Sequence, residues 1–230
     1  MKAAFCSDLH FNAKNNIRII EGLNFLDYLQ TYCTEHNIPN IIFGGDIFDT
    51  ANSIKNQAFV PVFMKLFELS KQFHLYVFPG NHDIMSADND CLAETFCAFS
   101  TFIKKSQTIE IDGVPCDFLA YTEDVSDIPN EGRILFGHLE VEGYYFNAKK
   151  KVDSHIFTED LFENYELVVS GHLHKKQEGK NLLFVGSPYE TRKDEMGKEN
   201  YFCVVYAEPN RPATYELVRY EDAPKYMEIN

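Results

Sequence analysis

Apolar runs alternate with amphipathic stretches through the first half of the chain. Three short runs predict buried strands, and the longer stretches between and after them carry apolar side chains at helical spacing. The predicted strands are residues 3–6, 41–43 and 75–78. The predicted helices are residues 17–35, 53–73 and 89–103, and Pro61 fits the second of these only in its first turn or at a kink. This alternation predicts a parallel sheet with crossover helices.

The second half of the chain is richer in strands. The segment "TIEIDGVPCDFLAY" predicts a hairpin that turns at Asp112 and Gly113. Five further runs predict strands: "RILFGH", "ELVVSGH", "NLLFVGS", "YFCVVYA" and "ATYELVRY". Because one ordinary sheet rarely holds so many strands, we expect an α/β fold with two packed sheets and helices outside them, a four-layer α/β/β/α sandwich. One domain covering residues 1–230 is the simplest interpretation.

The composition is that of a folded domain. Hydrophobic residues make up 45% of the 230 residues, which excludes a disordered chain. No apolar run approaches the roughly 18 residues needed to span a bilayer, and the N-terminus lacks the apolar core of a signal peptide. We therefore expect a cytoplasmic protein that does not enter a membrane. The six cysteines show neither a CxxC pair nor zinc-finger spacing, so we expect them to be small core residues.

The net charge of −14 argues against a broad nucleic-acid-binding surface, which is usually basic. It still allows an enzyme that meets phosphate at one local positive site. Bound divalent cations could create such a site, since they are often the largest local charges in a protein.

Five apolar runs are followed by the same kinds of polar side chain. Each stops at a small residue or a turn and is followed by side chains with oxygen or nitrogen ligand atoms. These are Asp8 and His10 after "AAFCS", Asp46 and Asp49 after "IIFGG", Asn81, His82 and Asp83 after "YVFPG", His138 after "ILFG", and His172 and His174 after "LVVSG". Because ligands collect at the carboxyl ends of strands in open α/β sheets, we expect these groups to meet at one rim. The glycines before them would let the main chain turn sharply.

The donor set indicates the class of metal and the reaction. Carboxylates, imidazoles and one amide, with no thiolate, suit manganese, iron or zinc. The donors outnumber one tetrahedral shell, which suggests two ions. A two-metal site activates a water molecule and clamps the oxygens of an in-line displacement, so phosphate-ester hydrolysis is the reaction that fits best.

These motifs resemble a known superfamily. In order, "DLH", "GGDIFD", "GNHD", "GH" and "GHLH" are similar to the five motifs of the calcineurin-like metallophosphoesterases, and the match runs from Asp8 to His174. The stretches "FGHLEVEGYYFNAKK" and "LLFVGSPYETRKDEMGKENYFCVVY" further resemble nuclease subunits of SbcCD-type DNA repair complexes, above all the recombination endonuclease subunit of tailed phages.

The superfamily resemblance implies a role for each strand-end residue. Asp46 would bridge two divalent metal ions. The remaining ligands would be Asp8, His10 and His174 at the first ion and Asn81, His138 and His172 at the second. His82 would act on the scissile phosphate, and Asp49 would hold His82 in orientation. Asp83 has no implied ligand role, and we interpret it as a structural brace.

The nuclease resemblance implies manganese-dependent exonuclease and endonuclease action in DNA repair and recombination. Basic and aromatic residues on the predicted rim could hold DNA. They are Tyr144, Tyr145, Phe146, Lys149, Lys150, Lys151, Lys175, Lys176, Lys180, Arg192 and Lys193. The predicted substrate contacts among them are Tyr144, Tyr145, Lys149, Lys175 and Arg192.

Two other functions stay open at this point. One is a stand-alone metallophosphatase or phosphodiesterase for small or nucleotide substrates, and the other is a non-catalytic metal-bound scaffold. The chain ends soon after its last predicted strand, so we expect neither a capping domain nor helices that bind an ATPase. A separate SbcC-like ATPase subunit could supply much of the DNA binding. The resemblance also implies a homodimer.

Overall fold

Two six-stranded sheets form the framework of the protein. The computed structural model describes residues 1–12, 16–51, 54–86, 90–146 and 150–226. The first part of the chain forms β1 (Lys2–Cys6), α1 (Asn16–Glu35), β2 (Asn40–Gly44), α2 (Asn56–Leu69), β3 (His74–Phe78) and β4 (Thr101–Phe102). The second part forms β5 (Gln107–Ile111), β6 (Val114–Leu119), β7 (Ile134–His138), β8 (Leu167–Gly171), β9 (Gln177–Glu178), β10 (Leu182–Phe184), β11 (Tyr201–Glu208) and β12 (Arg211–Arg219). Short 3-10 helices cover Leu92–Ala98, Val125–Asp127, Glu159–Phe162 and Lys193–Glu195.

Both sheets are mixed. The first has the order β12-β11-β1-β2-β3-β4, and the second has the order β5-β6-β7-β8-β10-β9. In the first sheet β1 to β4 are parallel neighbours, and β11 returns antiparallel beside β1. In the second, β6, β7, β8 and β10 are parallel. The carboxyl ends of β1, β2 and β3 therefore share one edge of the first sheet, as those of β7 and β8 do in the second.

The core follows from the alternation of side chains along each strand. In β1, Phe5 points between the sheets, where its ring centroid is 5.9 Å from that of Phe136. Ala4 and Cys6 point to the other face and pack with α1 and α2. The outer face of the second sheet is covered by loops and by the 3-10 helix Glu159–Phe162, whose Phe162 is fully buried. The predicted α/β fold with two packed sheets is confirmed.

Some local predictions differ from the structure. The stretch 89–103 contains the 3-10 helix Leu92–Ala98 and then β4, because residues 101–103 reach the open edge of β3 and pair there; Ile103 N–H donates to the Val77 carbonyl at 2.8 Å. Pro61 lies inside α2, beyond its first turn. All six cysteines are free, and five are buried as expected, but Cys97 is exposed. Neither α-helix in the described part of the chain combines the length and apolarity of a membrane span.

Candidate metal centre

The strand ends of the two sheets meet at one place. Asp8 N–H donates to the Gly45 carbonyl at 3.1 Å, and His10 N–H donates to the Asp46 carbonyl at 3.0 Å, so the loops after β1 and β2 run side by side. His172 N–H, just after β8, donates to both Asp8 carboxylate oxygens at 3.2 and 3.1 Å. This last pair ties the second sheet to the first at the site.

The main chain is left-handed at four of the residues that converge here. The φ angles are 58° at Asp8, 46° at His10, 51° at Asp46 and 81° at His172. Such angles are uncommon for residues other than glycine and cost on the order of 1–3 kcal/mol each. The surrounding hydrogen bonds hold them in place, and the sharp turns aim the four side chains into the same region.

Asp8, His10 and His174 form the first group of ligand atoms. His10 Nε2 and His174 Nε2 lie 2.9 Å apart, and His174 Nε2 is 3.6 Å from Asp8 Oδ1. Two nitrogen ligands about 2.1 Å from one ion and roughly at right angles would be about 3 Å apart. The spacing of the two imidazoles therefore fits one metal ion between them.

Asn81, His138 and His172 form the second group. Asn81 Oδ1 is 3.1 Å from His138 Nε2 and 3.0 Å from His172 Nδ1. Asp46 joins this group to the first, because its Oδ2 lies 3.6 Å from His10 Nε2 and 3.5 Å from His138 Nε2. The other oxygen, Oδ1, accepts a hydrogen bond from His82 N–H at 2.8 Å. Oδ2 of Asp46 thus faces both groups of ligand atoms.

Main-chain carbonyls orient two of the imidazoles. Nδ1 of His138 donates to the Gly44 carbonyl at 2.8 Å, and Nδ1 of His82 donates to the Asp49 carbonyl at 2.7 Å. The sequence predicts that Asp49 orients His82, a task that usually falls to the carboxylate. Here the main-chain carbonyl of Asp49 contacts the His82 ring instead.

The Asp49 carboxylate faces His10, with its Oδ1 3.7 Å from His10 Nδ1. His10 Nδ1 is buried and has no hydrogen-bond partner among the described residues.

Glutamates lie behind the other two imidazoles. His172 Nε2 is 3.3 Å from Glu140 Oε2, and His174 Nδ1 makes a short hydrogen bond to Glu195 Oε1. A carboxylate behind a metal-binding histidine fixes its tautomer and orientation. The strand-end motifs include neither glutamate. Glu140 follows His138 by two residues, so its position is a usable signal in the sequence, whereas nothing local links Glu195 to His174.

Burial and nearby charges set the protonation of the site. Burial, and then the neighbouring His174, lower the pKa of His10 to about 3, which leaves the imidazole neutral with a lone pair to donate. Burial alone would lower the pKa of His138, but the Asp46 carboxylate raises it to about 9. Burial would raise the pKa of Asp46, and His138 outweighs this and lowers it. Without a metal, His138 and Asp46 thus form a buried ion pair, and a cation would replace the proton.

Asp83 and two glycines hold the loops after β2 and β3 together. The Asp83 carboxylate accepts hydrogen bonds from the main-chain N–H groups of Ile47, Phe48 and Gly80, at 3.3, 3.1 and 3.0 Å. A Cβ at Gly80 would lie 2.2 Å from Asp46 Oδ1, and Gly45 has a φ of +90°. Asp83 therefore braces the turn, and the close approach of the loops requires glycine at position 80.

A pocket of about 260 Å³ opens over these groups. Its walls include His82, His172 and His174, together with Phe146, Lys150 and Arg192. The Phe146 ring centroid is 5.6 Å from that of His172, and Lys150 Nζ lies 4.6 Å from the Phe146 centroid. An aromatic ring and two cations thus stand next to the candidate metal ligands.

Among the described residues, only some of the predicted substrate contacts line a pocket beside the candidate metal ligands. Arg192 lines the pocket, and Lys175 lines a neighbouring pocket of about 250 Å³ with Phe146 and His174. Tyr144 instead packs on Phe184, with ring centroids 4.9 Å apart, and Tyr145 is 45% exposed. Lys149 lies outside the described residues. Phe146 and Lys150, two other members of the predicted basic and aromatic stretch, do line the pocket.

Comparisons with known proteins identify the family of this chain. Residues 1–176 match the family described as calcineurin-like phosphoesterase. Exonuclease subunit 1 of Enterobacteria phage T4 is 26% identical over 207 residues, which are 82% of this chain and 60% of that protein. The chain thus spans less than two thirds of this relative. Putative phosphoesterase 244L of Invertebrate iridescent virus 6 is 25% identical over 248 aligned residues, covering 100% of this chain and 85% of that protein.

A solved structure has the same fold. The crystal structure of a dimetal phosphatase from Danio rerio superimposes with a TM-score of 0.59 at 10% identity, covering 95% of this chain and 96% of that one. At this identity the likeness concerns the arrangement of the sheets alone.

Proposed function

This chain belongs to the calcineurin-like phosphoesterases and is a metal-dependent hydrolase of phosphate esters, and we propose that it cleaves phosphodiester bonds in DNA with two metal ions. One observation carries the two-metal proposal. Asp46 Oδ2 lies between the two groups of ligand atoms, 3.6 Å from His10 Nε2 and 3.5 Å from His138 Nε2. A carboxylate oxygen that faces two ligand groups is what a bridging ligand requires.

The residues present fit a pair of divalent ions. Asp46 would bind both, and the remaining ligands would be Asp8, His10 and His174 at one ion and Asn81, His138 and His172 at the other. When bound, such ions polarise the phosphate and activate water as the nucleophile. We propose manganese as the metal because oxygen and imidazole donors without thiolate suit it, and iron and zinc accept the same donors.

His82 is the proposed proton-transfer residue. Its Nδ1 donates to a carbonyl oxygen, which can only accept, so Nδ1 carries a proton and Nε2 is the nitrogen that gains or loses one. The side chain lines the pocket beside Asn81 and Asp46. From there it can donate to the leaving oxygen or to a phosphoryl oxygen as the ester bond breaks. Through its carbonyl, Asp49 keeps the ring in this orientation.

The walls of the pocket support a nucleic-acid substrate. Lys150 and Arg192 place two cations at a pocket that Asp194 and Glu195 also line, so attraction for phosphate would come from these two side chains together with the bound metal ions. Phe146 offers a ring on which an unpaired base can stack, and stacking of this kind is largely independent of sequence. The T4 relative is named an exonuclease subunit, which favours DNA over a small diester.

A partner subunit belongs to the same proposal. The T4 relative is named as a subunit, and we propose an SbcC-like ATPase as the partner that supplies further contacts to DNA. Residues 1–230 would act as one nuclease-core domain in repair and recombination.

Helix α2 exposes Val60, Met64 and Phe67 at helical spacing, and this apolar stripe offers a surface for such a partner or for a second copy. We also propose that the protein acts in the cytoplasm of a bacterium or of a phage-infected host cell, because the T4 relative is a phage protein.

A hydrolysis assay tests the proposed substrate. With manganese present, we expect cleavage of bis(p-nitrophenyl) phosphate and of single-stranded DNA, because Phe146 in the pocket wall offers a ring for an unpaired base. Duplex DNA is the comparison substrate, with and without a candidate ATPase subunit. Hydrolysis of the small diester without cleavage of any DNA would instead favour a stand-alone phosphodiesterase. A manganese-loaded protein that hydrolyses neither would be a metal-bound scaffold.

Removing the metal is expected to destabilise the fold. Asp8 and Asp46 are buried with ligand atoms within 4.8 Å of each other, and divalent cations offset more of their repulsion than the proton on His138 does. An ion present at about 100 times its Kd stabilises the folded state by about 2.7 kcal/mol, which corresponds to about 5–10 °C in Tm for a domain of this size. The melting temperatures in manganese and in EDTA, followed by circular dichroism, test this. Identical curves would contradict a structural contribution from the metal.

A further inference from the structure

A glutamate outside the matched part of the family lies against the candidate metal centre. Glu195 belongs to the short 3-10 helix Lys193–Glu195, between the second sheet and the return of the chain to the first. The family match ends at residue 176. Glu195 is nevertheless only 9% exposed, although a glutamate is rarely buried without a partner.

The Glu195 carboxylate is held at both oxygens. Oε1 accepts the short hydrogen bond from His174 Nδ1 and one from Thr191 Oγ1 at 2.9 Å. Oε2 accepts from Thr191 N–H at 2.7 Å and from Lys198 Nζ at 2.9 Å. With four donors around it, the carboxylate has one orientation, and that orientation faces His174.

Lys198 attaches the same network to the main chain at His174. Its Nζ donates to the His174 carbonyl at 2.9 Å and to Ser187 Oγ at 2.5 Å, and its side chain is 10% exposed. Glu195 and Lys198 therefore hold His174 from two directions, one at the ring and one at the carbonyl. The pair also balances its own charge in the interior.

This contact decides which nitrogen of His174 can bind a cation. A carboxylate only accepts hydrogen bonds, so the His174 proton sits on Nδ1 and the lone pair is on Nε2. Nε2 is the atom that lies 2.9 Å from His10 Nε2 and 3.6 Å from Asp8 Oδ1. The tautomer selected by Glu195 is the one that completes the first ligand group.

We propose that Glu195 is a positioning residue that selects the tautomer and orientation of His174 and thereby sets the affinity of the metal site formed with Asp8 and His10. This inference rests on the proposed two-metal function. Glu140 behind His172 is a weaker counterpart, since its side chain is 29% exposed and its Oε2 is 3.3 Å from the ring nitrogen. The first site should therefore depend on its supporting glutamate more strongly than the second.

Calorimetric titration of the metal-free protein with manganese tests the proposal. In Glu195→Gln, the side chain keeps its shape but loses its charge, and we expect the affinity of one of the two sites to fall about 10–100-fold while the other stays unchanged. Glu199→Gln is the matched control, because Glu199 is four residues away, exposed, and paired with Arg219. It should bind both ions as the wild type does. Circular dichroism in EDTA shows whether each variant is folded.

The outcomes of this titration separate the two proposals. If the wild type does not bind two ions, the proposed function fails and this inference fails with it. If the wild type binds two ions and Glu195→Gln binds both with unchanged affinity, only the inference is overturned. Equal weakening at both sites would also overturn it, because the effect would then be a general disturbance of the fold.

A second measurement needs no variant. In zinc-loaded wild-type protein labelled with ¹⁵N at histidine, we expect proton–nitrogen correlations to show His174 with its proton on Nδ1 and the metal on Nε2. The proton on Nδ1 should exchange slowly, because Glu195 holds it in the interior. Finding the proton on Nε2 would contradict the proposal even if Glu195→Gln failed to fold.

Discussion

Asp46→Asn is expected to reduce kcat/KM for bis(p-nitrophenyl) phosphate by about 1,000-fold or more, equivalent to about 4 kcal/mol of transition-state stabilisation. Asp46 Oδ2 faces both ligand groups, and a neutral amide is a poor bridge between two cations. The fold should survive, since asparagine tolerates the left-handed φ of 51° at this position. Activity in manganese and bound manganese per chain by mass spectrometry are the measurements, and metal content should fall below two ions.

The control for this variant is Asp112→Asn. Asp112 also has a φ of 51°, but it lies in the turn between β5 and β6, where its carboxylate accepts a hydrogen bond from Asn40 at 3.1 Å. It tests the same chemical change at the same main-chain conformation without touching the site. We expect wild-type activity and two ions. Two bound ions and activity within about tenfold of wild type in Asp46→Asn would contradict the bridging role.

His82→Asn is expected to lower kcat by about 100–10,000-fold, the range for loss of a general acid or base, while two ions remain bound and KM changes little. The reason is that the His82 side chain lines the pocket but contributes to neither proposed ligand set. Steady-state kinetics at saturating manganese, together with metal content, separate the loss of chemistry from the loss of a ligand.

The alternative for His82 is a direct metal ligand. His10, Asp46 and His82 also offer ligand atoms within 4.8 Å of one another, so the structure allows it. If His82→Asn lost an ion, this alternative would hold and the proton-transfer role would be wrong. His155→Asn is the control, because His155 is exposed and paired with Glu142 at 3.0 Å, away from the ligands. It should behave as the wild type does.

Strand ends are predictable from the sequence because their signals are local. A buried run that stops at glycine and is followed by aspartate or histidine can be read residue by residue, and parallel strands place such ends at one edge. These local signals place Asp8 and Asp46 at one edge of the first sheet, whereas His138 belongs to the second sheet and lies beside them through the packing of the two sheets. The stretch 89–103 is harder to predict, because its helical spacing of apolar residues competes with an open strand edge elsewhere in the chain.

Ligand type and turn residues are properties of short segments, so the amino-acid sequence by itself indicated which strand ends carry ligand-type side chains and what class of chemistry they offer. The atoms that make each contact became clear only from the tertiary structure. They are the carbonyl of Asp49 rather than its carboxylate at His82, the ring of Phe146 rather than that of Tyr144 beside the site, and the carboxylate of Glu195 behind His174. The direction of a lone pair depends on how loops from two sheets pack, and that packing depends on contacts between residues distant along the chain.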